Sequence, residues 1–156
     1  MLQVFTGEHI LFVIAAYLIG SIPSAVWIGK SFYGTDVRNH GSGNAGATNV
    51  FRVLGPKAGS IVLFMDILKG FAAMKLAFFS GEFPQGSLQY ENYKLVLGIV
   101  ALLGHIFPVF AGFRGGKGVA IMLGILIGLQ PGAALICSIV FLLVFLTSGF
   151  VSLGSL

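Results

Sequence analysis

The chain has 156 residues, 56% of them hydrophobic and 9% charged, with a mean hydropathy of +0.97 and a net charge of +4. A soluble domain carries about 25% charged residues, so a single water-soluble core is excluded and an integral membrane protein is the first reading. The 23 glycines suit closely packed membrane helices, and the one cysteine, Cys137, reads as a small packed hydrophobe in an apolar run.

The residues before the first apolar run include Glu8 and neither Lys nor Arg. They lack the basic start of a signal peptide, so the first segment is expected to be a retained transmembrane helix. That segment, residues 10–29, is twenty residues without a charge, enough to cross about 30 Å of hydrocarbon. Pro23 is expected to kink it near its end, with Ser21 and Ser24 facing protein. A polar loop follows over about 30–56. The second apolar segment, about 58–80, carries Asp66, Lys69 and Lys75. Charges at membrane depth are costly and usually paired, and Asp66 and Lys69 stand three residues apart, on one helix face. A structural pair and a proton relay are both open readings of these two. The third segment, 95–113, has His105 as its one ionisable residue, to be read either as a hydrogen-bonded packing residue or as part of a site. From Gly118 to Leu156 there is no charge. The turn signal "QPG" at 130–132 divides this run into a short helix at about 118–129 and another at about 132–148.

These segments predict one membrane domain over 1–156, an all-α polytopic bundle of about five spans. Basic residues in short loops set its orientation. Loop 30–57 holds Lys30, Arg38, Arg52 and Lys57 against Asp36. Loop 114–117 holds Arg114 and Lys117. Both are expected on the cytosolic side, with loop 81–94 and the N-terminus outside.

Two stretches carry chemistry. In "GSGNAGATNVFR" (41–52), glycines 41, 43 and 46 allow tight turns and close approach of backbone N–H groups to a ligand. Ser42, Asn44, Thr48 and Asn49 add neutral donors, and Arg38 and Arg52 can fork onto phosphate or carboxylate oxygens. In "GFRGGKG" (112–118), Gly115, Gly116 and Gly118 frame Lys117 beside Arg114. Exposed amides and a point charge there open onto a helix N-terminus. It is not a Walker A loop, which needs glycine where Ala111 stands and Ser or Thr where Gly118 stands. A solvated turn with snorkelling cations is the plain alternative for either stretch. No metal-ligand spacing is visible, and Cys137 and the serines lack a nucleophile's setting. The His-x-x-x-x-Asp pair of soluble-type glycerolipid acyltransferases is absent, because Ile14, Ala45 and Phe110 stand five residues after the three histidines.

The stretches "GSIPSAVWIGK", "DVRNHGSGNAGATNVFRVLG", "DILKG", "GHIFPVFAGFRGGKGVA" and "FVSLGS" resemble, in order and over nearly the whole chain, the bacterial membrane acyl-phosphate:glycerol-3-phosphate acyltransferase family. The resemblance implies an all-helical inner-membrane enzyme with its active site on the cytosolic face. It implies transfer of a fatty acyl group from acyl phosphate to the sn-1 hydroxyl of glycerol 3-phosphate, giving lysophosphatidic acid and phosphate. It carries essential roles to Ser42 and Arg52, glycerol phosphate binding to Arg114, Gly115, Gly116, Lys117 and Gly118, and the serine of "VSL" to Ser152. With it, Ser42, Asn44, Arg52 and Lys117 are the expected catalytic residues. Arg38, Gly43, Asn49, Lys69, His105, Arg114, the three loop glycines and Ser152 are the expected substrate-binding set. The partners expected are acyl phosphate, glycerol 3-phosphate and membrane lipid, with no cofactor, metal or nucleic acid. The family's further C-terminal helices and its R-H-x-x-N motif have no counterpart up to Leu156, so the chain is expected to be truncated relative to the family. Two rivals are an anion transporter using the same glycines and cations, which needs polar gates on both faces, and a non-catalytic assembly subunit, for which Ser42→Ala and Arg52→Ala would be silent.

Overall fold

A computed structural model describes residues 7–81 and 83–149. Seven α-helices appear among them. The first apolar run forms α1, Gly7–Gly20, and α2, Ser24–Tyr33, which meet at an angle of 42°. Proline lacks an N–H and cannot continue the preceding helix, so the run breaks at Ser21–Pro23 rather than bending gently. The polar loop that follows is more ordered than its composition suggests. It holds a 3-10 turn at Val37–Asn39 and a short helix, α3, Ala47–Leu54. α4 runs Pro56–Phe79 and starts with Pro at its first turn, where the missing N–H costs nothing. α5, Leu88–Ile106, begins earlier than expected. The Ser87 hydroxyl accepts from the Tyr90 amide (3.2 Å), and the polar residues 89–94 form its first turns. α6, Val119–Leu129, and α7, Pro131–Ser148, are separated by Gln130 alone, with the division where "QPG" placed it.

α4 is the central element, packed against α1, α2, α3, α5 and α6, while α1 also packs on α5 and α7 on α6. Glycine sets the closest approaches. A side chain at Gly20 would overlap the Ala101 backbone, and one at Gly124 would overlap the Ile67 carbonyl. Such contacts let helices associate where lipid offers no hydrophobic drive. One apolar cluster, with Met74, Leu97 and Ile121 at its centre, joins α1, α4, α5 and α6. A second, with Val37, Val50 and Val62, ties the polar loop to α2, α3 and α4.

The all-α membrane bundle expected from the sequence is the architecture found. Among the described residues, two segments are long and apolar enough to cross a membrane, Leu88–Ala111 and Pro131–Ser148, and the bent α1–α2 pair passes the same test when its two helices are taken together. α4 has the length, at 24 residues, but carries Lys57, Asp66, Lys69 and Lys75. α6 has 11 residues and reaches about 16 Å at 1.5 Å per residue.

Candidate active site

The first polar loop is built on two side chains. Asp36 caps the 3-10 turn by accepting from the Arg38 amide (3.1 Å). It then takes the Arg38 guanidinium through Nε (2.9 Å) and Nη2 (2.7 Å), and Lys30 adds an ion pair at 3.3 Å. Nη1 of Arg38 reaches across to the Ala111 carbonyl (2.7 Å). In this structure these Arg38 donors brace one polar loop against the other. The side-chain hydrogen bond from Arg38 holds the Asp36 carboxyl well below the usual carboxylate range, and the same bond raises Arg38 above its ordinary value. A depressed folded-state pKa contributes stability above the unfolded value, about 3.9 for Asp, that is lost as pH falls below it. The thermal-stability gap between wild type and Asp36→Asn in detergent is expected to stay constant above about pH 4 and to shrink below it. A gap that closes near neutral pH would sink this assignment.

Asn49 is the second side chain. It is 2% exposed. Its amide nitrogen donates to the carbonyls of Val37 (2.9 Å), His40 (3.1 Å) and Asn44 (3.1 Å), and its oxygen accepts from the Ser42 amide (2.9 Å). Loop 37–44 is thus wrapped on one carboxamide, with Gly41 and Gly43 at positive φ to allow it. Asn49 was expected to offer donors to substrate. In this structure they go to the loop's own carbonyls, which gives Asn49 a part in shaping the loop. Ser42 is left exposed at the rim, and its hydroxyl accepts from Asn44 Nδ2 at 3.4 Å.

The glycine–lysine loop folds back on the end of α5. Phe113 takes positive φ (59°), the one non-glycine to do so among the described residues. The Gly115 and Gly116 amides donate to the carbonyls of Ile106 (3.1 Å) and His105 (3.3 Å), and the Ala45 amide donates to Gly115 (3.3 Å). That last bond joins the two loops. Gly46 and Gly118, the residues that open α3 and α6, make no side-chain cap. Two helix starts therefore flank the junction, each with partial positive charge from its amides. Arg52, in the last turn of α3, and Arg114 and Lys117, in the loop, are exposed.

Beneath the junction lies a buried polar cluster. The pair expected from spacing forms, with Lys69 Nζ 2.9 Å from Asp66 Oδ1. Lys69 also donates to the Ile22 carbonyl (2.9 Å), and the Ser24 hydroxyl donates to Asp66 (3.0 Å). His105 Nδ1 stands 3.9 Å from the same carboxylate oxygen. Lys69 and His105, expected to bind substrate, are 6% and 5% exposed. The Lys69 ammonium is held by two protein oxygens, from Asp66 and Ile22. Ser24 faces protein as expected, but its partner Asp66 and the part played by the Ile22 carbonyl, which accepts the Ser24 amide (3.0 Å) as well as Lys69, were missed by sequence reasoning. Ser152 lies outside the described residues.

A family model described as glycerol-3-phosphate acyltransferase matches residues 10–156. The glycerol-3-phosphate acyltransferase of Listeria welshimeri is 51% identical over 151 residues, covering 97% of this chain and 74% of its own length. That of Fusobacterium nucleatum is 48% identical over 145 residues, covering 93% and 71%. The crystal structure of PlsY (YgiH), an integral membrane glycerol 3-phosphate acyltransferase, in its glycerol 3-phosphate form superposes with a TM-score of 0.84. It is 44% identical, with 96% of this chain and 71% of that one covered. The lysophosphatidic acid form gives 0.79 and 41%, covering 96% and 70%.

Proposed function

This chain belongs to the glycerol-3-phosphate acyltransferase family of integral membrane enzymes, and on that premise we propose that its donor is an acyl phosphate and its acceptor the sn-1 hydroxyl of glycerol 3-phosphate. The observation that carries this reading is the junction of the two glycine loops, joined by Ala45 and Gly115, with Arg114 and Lys117 exposed on one loop and Arg52 exposed on the helix that the other opens. Both substrates are phosphates, and one brings an acyl chain. A basic, amide-rich junction suits two anions, while the apolar faces of the helices suit the tail.

The donor is a mixed anhydride with a good leaving group, so no acyl-enzyme is needed. The glycerol oxygen attacks the acyl carbon, the bond from that carbon to the phosphate oxygen breaks, and the hydroxyl proton passes to a donor phosphate oxygen. The products are lysophosphatidic acid and inorganic phosphate. Arg52 and Lys117 neutralise the phosphates, and Arg114 completes the acceptor's seat on a loop whose glycines, Gly115, Gly116 and Gly118, give it its shape, the Gly115 and Gly116 amides fastening it to the end of α5. Ser42 and Asn44 orient the reacting carbonyl. Gly43 permits the turn that presents them. Positioning and charge neutralisation supply most of the acceleration. The excess of basic residues in these two short loops supports a junction on the cytosolic face of the bacterial inner membrane, with the N-terminus outside.

The test is phosphate release by the purified protein in detergent or lipid, with palmitoyl phosphate, plus and minus glycerol 3-phosphate, beside an acyl-thioester arm. The expected result is acceptor-dependent release from the acyl phosphate, a 1-acyl product by NMR, and no transfer from the thioester. Transfer from the thioester alone overturns the donor assignment, and an acyl-protein trapped in a single turnover overturns direct attack.

A further inference from the structure

The buried cluster below the junction has a geometry that the reaction above does not use. Its centre is Asp66, 2% exposed, whose Oδ1 receives the Ser24 hydroxyl from α2 (3.0 Å) and the Lys69 ammonium from α4 (2.9 Å). Lys69 in turn holds the Ile22 carbonyl (2.9 Å), in the break between α1 and α2. The third group facing Asp66 is His105 of α5, at 3.9 Å through Nδ1. The other end of that imidazole lies directly under the glycine–lysine loop: a side-chain carbon at Gly116 would stand 2.5 Å from His105 Nε2. The His105 carbonyl also accepts the Gly116 amide (3.3 Å). A line of contacts thus runs from the broken first span, through Asp66 and His105, to the residue before Lys117.

We propose that Asp66, seated by Ser24 and Lys69, is a positioning residue: it fixes the height of the His105 ring and so the level at which the glycine–lysine loop presents Lys117 to the acceptor phosphate. The proposal rests on the glycerol 3-phosphate reading of the junction. It explains why an ion pair is kept in the apolar interior. Burying Asp66 and Lys69 costs desolvation that their attraction only partly offsets, but the pair holds three helices and the Ile22 carbonyl in register beneath one loop.

Two variants test it, Asp66→Asn and Ser24→Ala, with two readouts in lipid nanodiscs: acyl-transfer kinetics and backbone hydrogen exchange. A displaced loop weakens acceptor binding in ground and transition state alike, so the KM for glycerol 3-phosphate is expected to rise about tenfold while kcat changes less than about threefold. The donor KM stays unchanged. Amides of residues 114–118 exchange faster, and those of α7 do not. His105→Gln gives the same acceptor effect, and adding Asp66→Asn to it adds little, because both act through one contact. If Asp66→Asn does not fold, Ser24→Ala carries the test, since it removes one hydroxyl and no charge. Unchanged exchange at 114–118, a loss confined to kcat, or additive effects of Asp66→Asn and His105→Gln overturns the proposal. Should the wild type show no turnover with glycerol 3-phosphate, the functional reading fails. The exchange arm then still decides whether Asp66 sets the loop.

Discussion

Asn49→Asp is expected to lower acyl transfer by roughly a thousandfold, although it changes neither the size nor the shape of the side chain. The reason is the direction of its hydrogen bonds. The Asn49 amide nitrogen supplies donors to the carbonyls of Val37, His40 and Asn44. A carboxylate has no donor and places a negative charge among three carbonyl oxygens at a site that is 2% exposed. Each buried acceptor left without a partner costs about 1–3 kcal/mol, and a buried charge without a partner costs more. The loop is expected to leave its seat rather than bear that cost. Ser42 then loses its place, because its own amide is fixed by Asn49 Oδ1 (2.9 Å). Hydrogen exchange is expected to rise over residues 37–46, with smaller changes in α7. Activity within tenfold of wild type, or a higher KM with the loop still protected, would show that Asn49 contacts substrate rather than shaping the loop.

What could be read in the sequence depended on whether a feature has a local cause. Composition alone indicates a membrane bundle. α4 follows from its apolar run between Pro56 and Ser80, and the α6–α7 division follows from Gln130, Pro131 and Gly132. The start of α5 was not legible by apolarity, because Gln89, Glu91, Asn92 and Lys94 look like loop. The local signal was Ser87, a cap residue ahead of them. The break in the first run was visible in Pro23, but its consequence was not. Only the fold shows that Lys69, 47 positions on, supplies the donor that the Ile22 carbonyl takes.

The site divides in the same way. Glycine spacing marked both loops, and their basic residues marked an anion site. Sequence shows which side chains can donate and not who receives. Arg38 and Asn49 therefore looked like ligands for substrate, although one is bound to Asp36 and Ala111 and the other to its own loop. The Asp36–Arg38 pair was within reach of sequence reasoning, two residues apart. The seat of Asn49 was not, because it gathers carbonyls from 5 to 12 positions away.

Gly115→Ala is expected to lower kcat/KM by about a hundredfold, for a reason that has nothing to do with lost chemistry. Gly115 carries no side chain that could touch substrate, and its φ is not in the left-handed region. What makes glycine necessary there is the space around it. A Cβ would run into the carbonyls of His105 and Ile106 and into the Pro108 ring, which are backbone and a fixed ring that cannot turn aside. The loop has to lift off the end of α5. That breaks the amide bond from Gly115 to Ile106 and loosens the bond from Ala45 that joins the two loops. Lys117 moves with it, and a displacement of about 1 Å at a positioned charge is enough for a hundredfold loss. Gly112→Ala is the control. Gly112 has open space around it, though its φ of 63° strains any replacement, so that variant is expected to cost about 1 kcal/mol of local strain and little activity. Equal losses from the two variants would mean that the loop's flexibility, and not its contact with α5, is what the glycines provide.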